Sequence, residues 1–195
     1  PIPDFSGHTT ILMPQDKVKT MLRRTSFAVS TDENRYVLNG LYLNFKENKL
    51  TMVATDGRRL ALAEEDVELP GESPMELIVP TKAIQELSRQ LGEEGNVKIQ
   101  ITENQVSFGL EEKQGAGSLI VSKLVEGAYP NYKQVIPAES KHRVTLDKEE
   151  LFHALRRAEI MTSEKANSVK LTFTENNLTF TANSPEVGDS LETMA

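Results

Sequence analysis

An internal repeat constrains the fold of this chain more than any other feature. Residues 38–57 and residues 166–185 align at an offset of 128 and share eight identical positions. A related segment, residues 96–110, aligns with the last at an offset of 72. The first and last segments share Asn39/Asn167, Leu43/Leu171, Phe45/Phe173, Glu47/Glu175, Asn48/Asn176, Leu50/Leu178, Thr51/Thr179 and Ala54/Ala182. The sequence therefore predicts three similar structural repeats.

Each repeat segment has the pattern of a β-hairpin. Apolar and polar residues alternate on both sides of a central Glu-Asn pair, which suits a tight turn. We expect one face of each sheet to be core and the other to be solvated. The predicted core faces are Leu41, Leu43 and Phe45 with Leu50, Met52 and Ala54; Val97, Ile99 and Ile101 with Val106, Phe108 and Leu110; and Val169, Leu171 and Phe173 with Leu178, Phe180 and Ala182.

A short amphipathic helix is predicted before each hairpin. Asp147 followed by Glu150 is typical of a capping box, and Gly92 is expected to end the second helix in a left-handed conformation. The apolar stripes are Val18, Met21 and Leu22; Ile84, Leu87 and Leu91; and Leu151, Ala154, Leu155 and Ala158. The predicted class is α+β, with a helix and an antiparallel hairpin repeated three times.

The period of 128 residues spans two repeats, which predicts that two repeats make one domain. Residues 1–138 would then be a complete domain, and residues 139–195 the first half of another. An apolar hairpin face without a mate is not expected in an intact protein. Together with a start at Pro1 that lacks an initiator Met and a leader, this predicts a piece of a longer chain.

Positive charge is concentrated on the predicted helices, although the net charge of the chain is −7. In every helix, basic residues lie opposite the apolar stripe. An ordinary solvated helix face explains any one of these clusters. Their recurrence favours a surface that follows a phosphate backbone without reading base sequence. The residues concerned are Lys19, Arg23, Arg24, Lys82, Arg89, Arg156 and Arg157.

The composition excludes several kinds of site. The chain has no Cys, which rules out disulfides, thiolate nucleophiles and Cys-based zinc sites. His8, His142 and His153 lack the spacing of metal ligands. No apolar run approaches the length of about 20 residues that a membrane helix needs. We predict no catalytic residue, metal, cofactor or membrane contact, and a cytoplasmic location.

The sequence resembles the bacterial sliding clamps, the beta subunits of DNA polymerase III. The resemblance runs from about Thr10 to Met194, and VATDGRRLA and YPNYKQVIP are specific to that family. It identifies the chain as the whole second domain and the first half of the third. Further matching stretches are RYVLNGLYLNF, IVPTKAIQEL and EELFHALRRAEIMTSEKANSVKLTFTENNLTFTANSPEVGDSLE.

This resemblance implies the DNA clamp fold, with sheets outside and helices lining a pore. Family members are non-catalytic processivity factors in DNA replication. The full-length protein would be a ring-shaped homodimer of head-to-tail protomers that encircles duplex DNA without sequence specificity. By position, Ile160 and Met161 would lie at the contact between protomers, and the basic helix residues would face DNA.

The family also has a hydrophobic cleft between its second and third domains. It accepts short peptide motifs from the replicative polymerase, the clamp loader and repair proteins. This chain departs from the family pattern at Arg58, where many relatives carry His, and at Gln134, where a basic residue is common. The matching positions are Leu38, Thr55, Gly57, Arg58, Arg59, Leu60, Pro130, Gln134 and Val135.

Two other classes of function stay open from the residues alone. A repeat scaffold that binds proteins but not DNA would pair its basic helix faces with neighbouring Glu residues. An acid/base enzyme built on Asp56, or on Glu64, Glu65 and Asp66, would need convergent polar groups in one pocket.

Overall fold

The computed structural model describes residues 5, 9–71, 73–111, 117–162, 167–186 and 188–194. The chain divides into two compact units, an N-terminal unit, Pro1–Ile136, and a C-terminal unit, Pro137–Ala195. Each unit has its own hydrophobic core.

The N-terminal unit contains two repeats with the order strand, helix and three strands. The first is β1 (Thr9–Pro14), α1 (Gln15–Thr25), β2 (Gly40–Lys46), β3 (Lys49–Thr55) and β4 (Leu60–Asp66). The second is β5 (Met75–Pro80), α2 (Thr81–Gln90), β6 (Asn96–Ile101), β7 (Gln105–Leu110) and β8 (Ser118–Lys123). Short 3-10 helices span Ser26–Ala28, Glu33–Leu38 and Tyr132–Gln134. The repeat is therefore longer than the predicted helix and hairpin, because flanking strands lie before the helix and after the hairpin.

The two repeats exchange their first strands. β1 pairs antiparallel with β6 of the second repeat, with Ile11 opposite Ile99. β5 pairs antiparallel with β2 of the first repeat, with Val79 opposite Leu41. The resulting sheets have the orders β1-β6-β7-β8 and β4-β3-β2-β5. Each sheet takes one strand from the other repeat, so neither repeat completes its sheet alone.

A single core joins both sheets and both helices of the N-terminal unit. The predicted inward faces of the first two hairpins are confirmed, with Phe45 fully buried and Phe108 only 1% exposed. The helix stripes are confirmed as well, since Val18, Leu22 and Ile84 pack in the same core. Burial of these apolar surfaces is the main favourable contribution to the stability of the unit.

The outer face of the β4-β3-β2-β5 sheet is not solvated, and the prediction of a wet face is wrong here. Tyr42, Val53 and Ile78 are buried on it, packed against the chain that follows β8. The Val125 N–H donates to the Ile78 carbonyl at 2.9 Å, and the Tyr129 ring stacks on Tyr42 with centroids 4.8 Å apart. Near-continuous apolar runs in β2, β3 and β5 are typical of strands covered on both faces.

Two local predictions at turns and caps are confirmed. Glu47 and Asn48 both have positive φ, 54° and 55°, between β2 and β3. This is the geometry of a type I′ turn, which matches the twist of a hairpin. The Asp147 side chain accepts a hydrogen bond from the Glu150 N–H at 2.9 Å and caps the third helix.

The prediction for Gly92 is wrong. The second helix ends in an extended residue, and the glycine with left-handed φ is Gly95, at 80°. The Gly92 N–H donates instead to Gln15 Oε1 at 2.9 Å. The Oε1 atom of the buried Gln15 therefore supplies an acceptor for the Gly92 N–H after the end of α2, so no left-handed residue is needed there.

The C-terminal unit holds the third repeat, α3 (Lys148–Glu159), β9 (Lys170–Thr174), β10 (Asn177–Ser184) and β11 (Gly188–Met194). Its sheet has the order β11-β10-β9. Within the described residues β9 pairs only with β10, whereas the corresponding β2 pairs on both edges. Residues 141–147, which precede α3 as β1 and β5 precede their helices, form no regular structure.

Burial in the third hairpin is confirmed for one strand only. Leu178, Phe180 and Ala182 on β10 are buried, but Leu171 is 38% exposed and Phe173 is 54% exposed on β9. The small core of this unit is completed by α3 and Met194.

Phe45 and Phe173 occupy equivalent positions of the repeat, and replacing each by alanine tests the difference in their burial. Phe45→Ala should lower the free energy of unfolding of the N-terminal unit by about 3–5 kcal/mol, because it removes a buried ring and leaves a cavity. Phe173→Ala should cost under about 1 kcal/mol, because its ring is already largely hydrated. Urea unfolding followed through NMR signals of each unit measures both, and equal losses would contradict the burial described.

Candidate functional site

A cavity of about 370 Å³ lies where β3 ends and β4 begins. It is lined by Leu38, Thr55, Gly57, Arg58, Arg59, Leu60, Pro130, Asn131, Tyr132 and Val135. We call this cavity the cleft. All of its lining residues belong to the N-terminal unit, and three separate segments of the chain supply them.

Eight of the nine residues predicted for a peptide site line the cleft, and Gln134 does not. Residues three apart in a 3-10 turn share one side, so Tyr132 and Val135 face the cleft while Gln134 does not. Asn131 and Tyr132 were missed by the sequence reasoning. Both lie in the YPNYKQVIP stretch between the predicted residues Pro130 and Gln134, and this position could have identified them.

The cleft has an apolar floor and an exposed apolar rim. Leu38 and Tyr132 are 7% and 8% exposed, whereas Val135 is 68% exposed. Tyr132 also packs against Tyr42 on the outer face of the sheet, with ring centroids 5.9 Å apart. A concave apolar site with a few polar groups at its edge is typical of a site for small ligands or for the anchor side chains of a peptide.

Asp56 organises the loop that separates β3 from β4. Its Oδ1 accepts hydrogen bonds from the backbone N–H groups of Arg58 and Arg59 at 2.9 and 3.1 Å. These donors, the Arg58 N–H first, hold the pKa of the Asp56 carboxyl below its ordinary value. Gly57 has φ of 85°, and a side chain there would clash with the guanidinium of Arg35. The loop is therefore held in one shape by a carboxylate and a glycine.

The arginines at this loop differ in their partners. Arg59 Nε lies 3.2 Å from Asp56 Oδ2, and its Nη2 donates to the Phe27 carbonyl at 2.8 Å. Arg35 Nη1 donates to the Asp56 carbonyl at 3.3 Å. Arg58 is exposed, and its guanidinium makes no ion pair within the parts of the chain that the structure describes.

Three of the four acidic residues considered for acid/base chemistry, Asp56, Glu64 and Glu65, have structural partners. A lowered pKa makes Asp56 a weaker general base at neutral pH. On β4, Glu65 lies 2.5 Å from Lys17 Nζ, and Glu64 lies 3.7 Å from Lys49 Nζ. Neither glutamate lines the cleft.

Four of the seven predicted DNA-facing residues are paired with glutamate. The pairs are Lys19–Glu93 at 2.5 Å, Arg89–Glu86 at 2.7 Å, Arg156–Glu159 at 3.2 Å and Arg157–Glu192 at 2.9 Å. Arg23, Arg24 and Lys82 are exposed and make no ion pair with any residue in the described ranges. Pairing with Glu, the property expected of a protein-binding scaffold, therefore holds for part of the set. Such exposed pairs are screened by water and salt and add little to stability.

The residues predicted at a protomer contact follow α3 in the C-terminal unit. Ile160 is the C-cap of that helix and is 72% exposed. Met161 is half-buried, and its N–H donates to the Ala158 carbonyl at 3.2 Å. Ile160 is thus a large apolar side chain left in water.

In the described part of the chain, no helix is long and apolar enough to cross a membrane. Among the same residues, His, Asp and Glu form no group of three or more that could hold a metal ion. His8, one of the three histidines considered in the sequence, lies outside the described residues.

Two family models match consecutive parts of the chain. The family model for the central domain of the DNA polymerase III beta subunit matches residues 12–131, and the model for its C-terminal domain matches residues 133–195. The beta sliding clamp of Chlamydia pneumoniae is 36% identical over 194 residues, which cover 100% of this chain and 52% of that protein.

Solved structures of DNA polymerase III beta subunits are also similar to this chain. The DNA polymerase III subunit beta from Pseudomonas aeruginosa matches with a TM-score of 0.89 and 32% identity, over 100% of this chain and 52% of that one. The sliding clamp from Bacillus subtilis matches with a TM-score of 0.89 and 32% identity, over 100% and 50%. This chain spans about half the length of these relatives. The expected clamp fold is confirmed, and the chain belongs to the family of DNA polymerase III beta subunits, the bacterial sliding clamps.

Proposed function

We propose that this chain is part of a replication processivity factor that encircles duplex DNA and tethers partner proteins through short hydrophobic peptide motifs. The partners are the replicative polymerase, the clamp loader and repair proteins. The protein acts as a non-catalytic accessory subunit without a cofactor, and its full-length form is a ring-shaped homodimer in the cytoplasm. The cleft is the observation that carries this proposal, and family membership supports it.

The cleft suits a peptide with aliphatic or aromatic anchors. Its volume, about 370 Å³, lies in the range of about 300–1,000 Å³ typical of ligand pockets. Leu38, Leu60 and Tyr132 offer apolar surface, and Val135 stands exposed at the rim. Covering Val135 with a peptide side chain would remove apolar surface from water, which favours binding.

The basic helix faces are proposed to contact the DNA backbone. Arg23, Arg24 and Lys82 are free to approach phosphates, since they have no ion pair in the described ranges to break. Exposed pairs such as Lys19–Glu93 have 39% and 77% side-chain exposure, so a phosphate can compete with the carboxylate at small cost. Contacts of this kind bind any base sequence.

Residues 1–138 are proposed to be the complete middle domain of the clamp, and residues 139–195 half of its third domain. The open edge of β9 supports this, because β2 and β6 each receive an exchanged strand at that edge. Segment 141–147 would supply the reciprocal strand to a fourth repeat. The half coverage of each relative agrees with this view. The exposure of Ile160 supports the proposal that it and Met161 contact the next protomer.

A protein-binding scaffold that never holds DNA is the second candidate. The four basic residues that are already neutralised by glutamate favour it. The two candidates share the cleft and differ only in what the helices bind, so DNA binding separates them.

Leu60→Glu should weaken binding of a labelled peptide with leucine and phenylalanine anchors by at least about 30-fold, if Leu60 is a hot spot worth about 2 kcal/mol. The reason is that a carboxylate would be buried against the anchors. Leu62→Glu is the matched control, because Leu62 lies on the same strand, is 38% exposed and does not line the cleft. Fluorescence polarisation measures the affinities. Unchanged binding by Leu60→Glu, or peptide-induced NMR shifts on another face, would refute the site.

Asp56→Ala should weaken the same peptide about fivefold, because the loop loses the acceptor that holds two N–H groups. The pKa of Asp56 is lowered, so the carboxylate that accepts these two N–H groups is ionised above its ordinary pKa of about 3.9 and is protonated only as pH falls through the lowered value. The affinity difference between wild type and variant should therefore hold at pH 5–7 and shrink below about pH 4. Asp66→Ala is the control, and a constant difference at all pH values would contradict this role.

Duplex DNA should bind the chain weakly and with equal affinity for different base sequences. The slope of log K against the logarithm of the salt concentration should be about −0.9 per phosphate neutralised. The variant Arg23→Ala/Arg24→Ala/Lys82→Ala should reduce that slope, whereas Lys46→Ala/Lys98→Ala/Lys123→Ala, on β-strands, should not. Fluorescence anisotropy between about 25 and about 200 mM salt measures the slope. Sequence preference or salt-independent binding would refute the DNA surface. No binding at low salt would favour the scaffold.

A further inference from the structure

A second, polar cavity of about 270 Å³ shares two residues with the cleft. Arg58 and Arg59 line both cavities, which therefore meet at the β3–β4 loop. The other walls of the second cavity include Ser30, Asp32 and Arg35. A peptide seated with its apolar anchors in the cleft would thus place a neighbouring side chain at this polar cavity.

The charges around the second cavity are unbalanced. Three arginines, at positions 35, 58 and 59, face two aspartates, at positions 32 and 56, which leaves 3 − 2 = 1 net positive charge. Arg59 pairs with Asp56 at 3.2 Å, and Arg35 lies 3.7 Å from Asp32. Within the described residues, Arg58 is the one arginine of the three whose guanidinium has no ion pair.

The position of Arg58 is nevertheless held in place. Its backbone N–H is bound by Asp56 at 2.9 Å, and Gly57 before it adopts a left-handed φ that the loop requires. The loop therefore presents an exposed guanidinium from a fixed backbone. A guanidinium binds a carboxylate through two parallel hydrogen bonds, which makes Arg a selective partner for that group. No ion pair with a described residue has to break before Arg58 binds a carboxylate.

We propose that Arg58 is a specificity-determining residue that selects partner peptides carrying a carboxylate side chain next to their apolar anchors. The anchors occupy the cleft, and the Asp or Glu of the peptide enters the second cavity and pairs with Arg58. The proposal rests on the proposed function of the cleft and names the chemistry of the partners that it prefers. A basic residue at the same peptide position meets the net positive charge and is disfavoured.

Three labelled peptides with identical leucine and phenylalanine anchors and Glu, Gln or Lys at the adjacent position test this. The wild-type chain should bind the Glu peptide about tenfold tighter than the Gln peptide, and the Lys peptide more weakly than either. Arg58→Gln should weaken the Glu peptide more than the Gln peptide, so that the Glu/Gln affinity ratio falls to about 1. Arg58→Lys should keep part of the ratio, since an ammonium is a point charge without the planar fork. The ratio should also fall as salt is added.

Arg143→Gln is the matched control, because it removes one exposed positive charge from the C-terminal unit without touching either cavity. Equal binding of the Glu and Gln peptides to the wild type would overturn the inference and leave the peptide cleft intact. A preference for Glu that persists in Arg58→Gln would also overturn it. Equal losses for all peptides in Arg58→Gln would make Arg58 merely structural. Failure of every peptide to bind the wild type would instead overturn the proposed function.

Discussion

Exchange of the first strands between the two repeats is the constraint on which the N-terminal unit depends. β1 completes the sheet of the second repeat, and β5 completes the sheet of the first. Because each sheet borrows its fourth strand, both sheets must form together around their common core. Such pairing satisfies the backbone hydrogen bonds at one edge of each sheet, which would otherwise be open to pairing with another chain.

The exchange also determines where the cleft can form. β5 widens the β4-β3-β2-β5 sheet and adds Ile78 to its outer face, beside Tyr42 and Val53. The segment after β8 then crosses this face, with Val125 bonded to the Ile78 carbonyl. Tyr132 is buried against the same apolar face, and the 3-10 helix that begins with it places the exposed Val135 at the rim of the cleft. A surface that alternation of apolar and polar residues would leave to solvent therefore supports the floor of the cleft.

The C-terminal unit is informative because β9, among the residues that the structure describes, pairs with β10 alone. Phe173 occupies the position of the buried Phe45 and is 54% exposed, and every residue of β9 is exposed. Equivalent positions of similar repeats are therefore buried to different degrees, and the buried one lies on a strand that pairs on both edges. Apolar contacts from a second repeat, more than the hairpin pattern itself, decide how well such a unit is packed.

The sequence by itself determined the features that depend on neighbours along the chain. The Glu47-Asn48 turn, the Asp147 cap and the inward faces of the first two hairpins follow from short-range spacing. Similarity to a known family also predicted eight of the ten residues that line the cleft. Motif spacing carries such information because the contacts concerned are local, or are inherited with the fold.

Only the tertiary structure decided the features that join distant parts of the chain. The strand exchange, the cover over Tyr42 and the place of Tyr132 in the cleft depend on which strands meet, and no local pattern encodes that. The ion pair between Lys19 and Glu93 joins residues 74 positions apart. A helical wheel of α1 alone does not include Glu93, so it shows Lys19 as unpaired. Gly92 likewise needs no left-handed turn, because Gln15, far away in sequence, supplies its acceptor. Long-range partners replace local ones wherever the fold brings them within hydrogen-bonding distance.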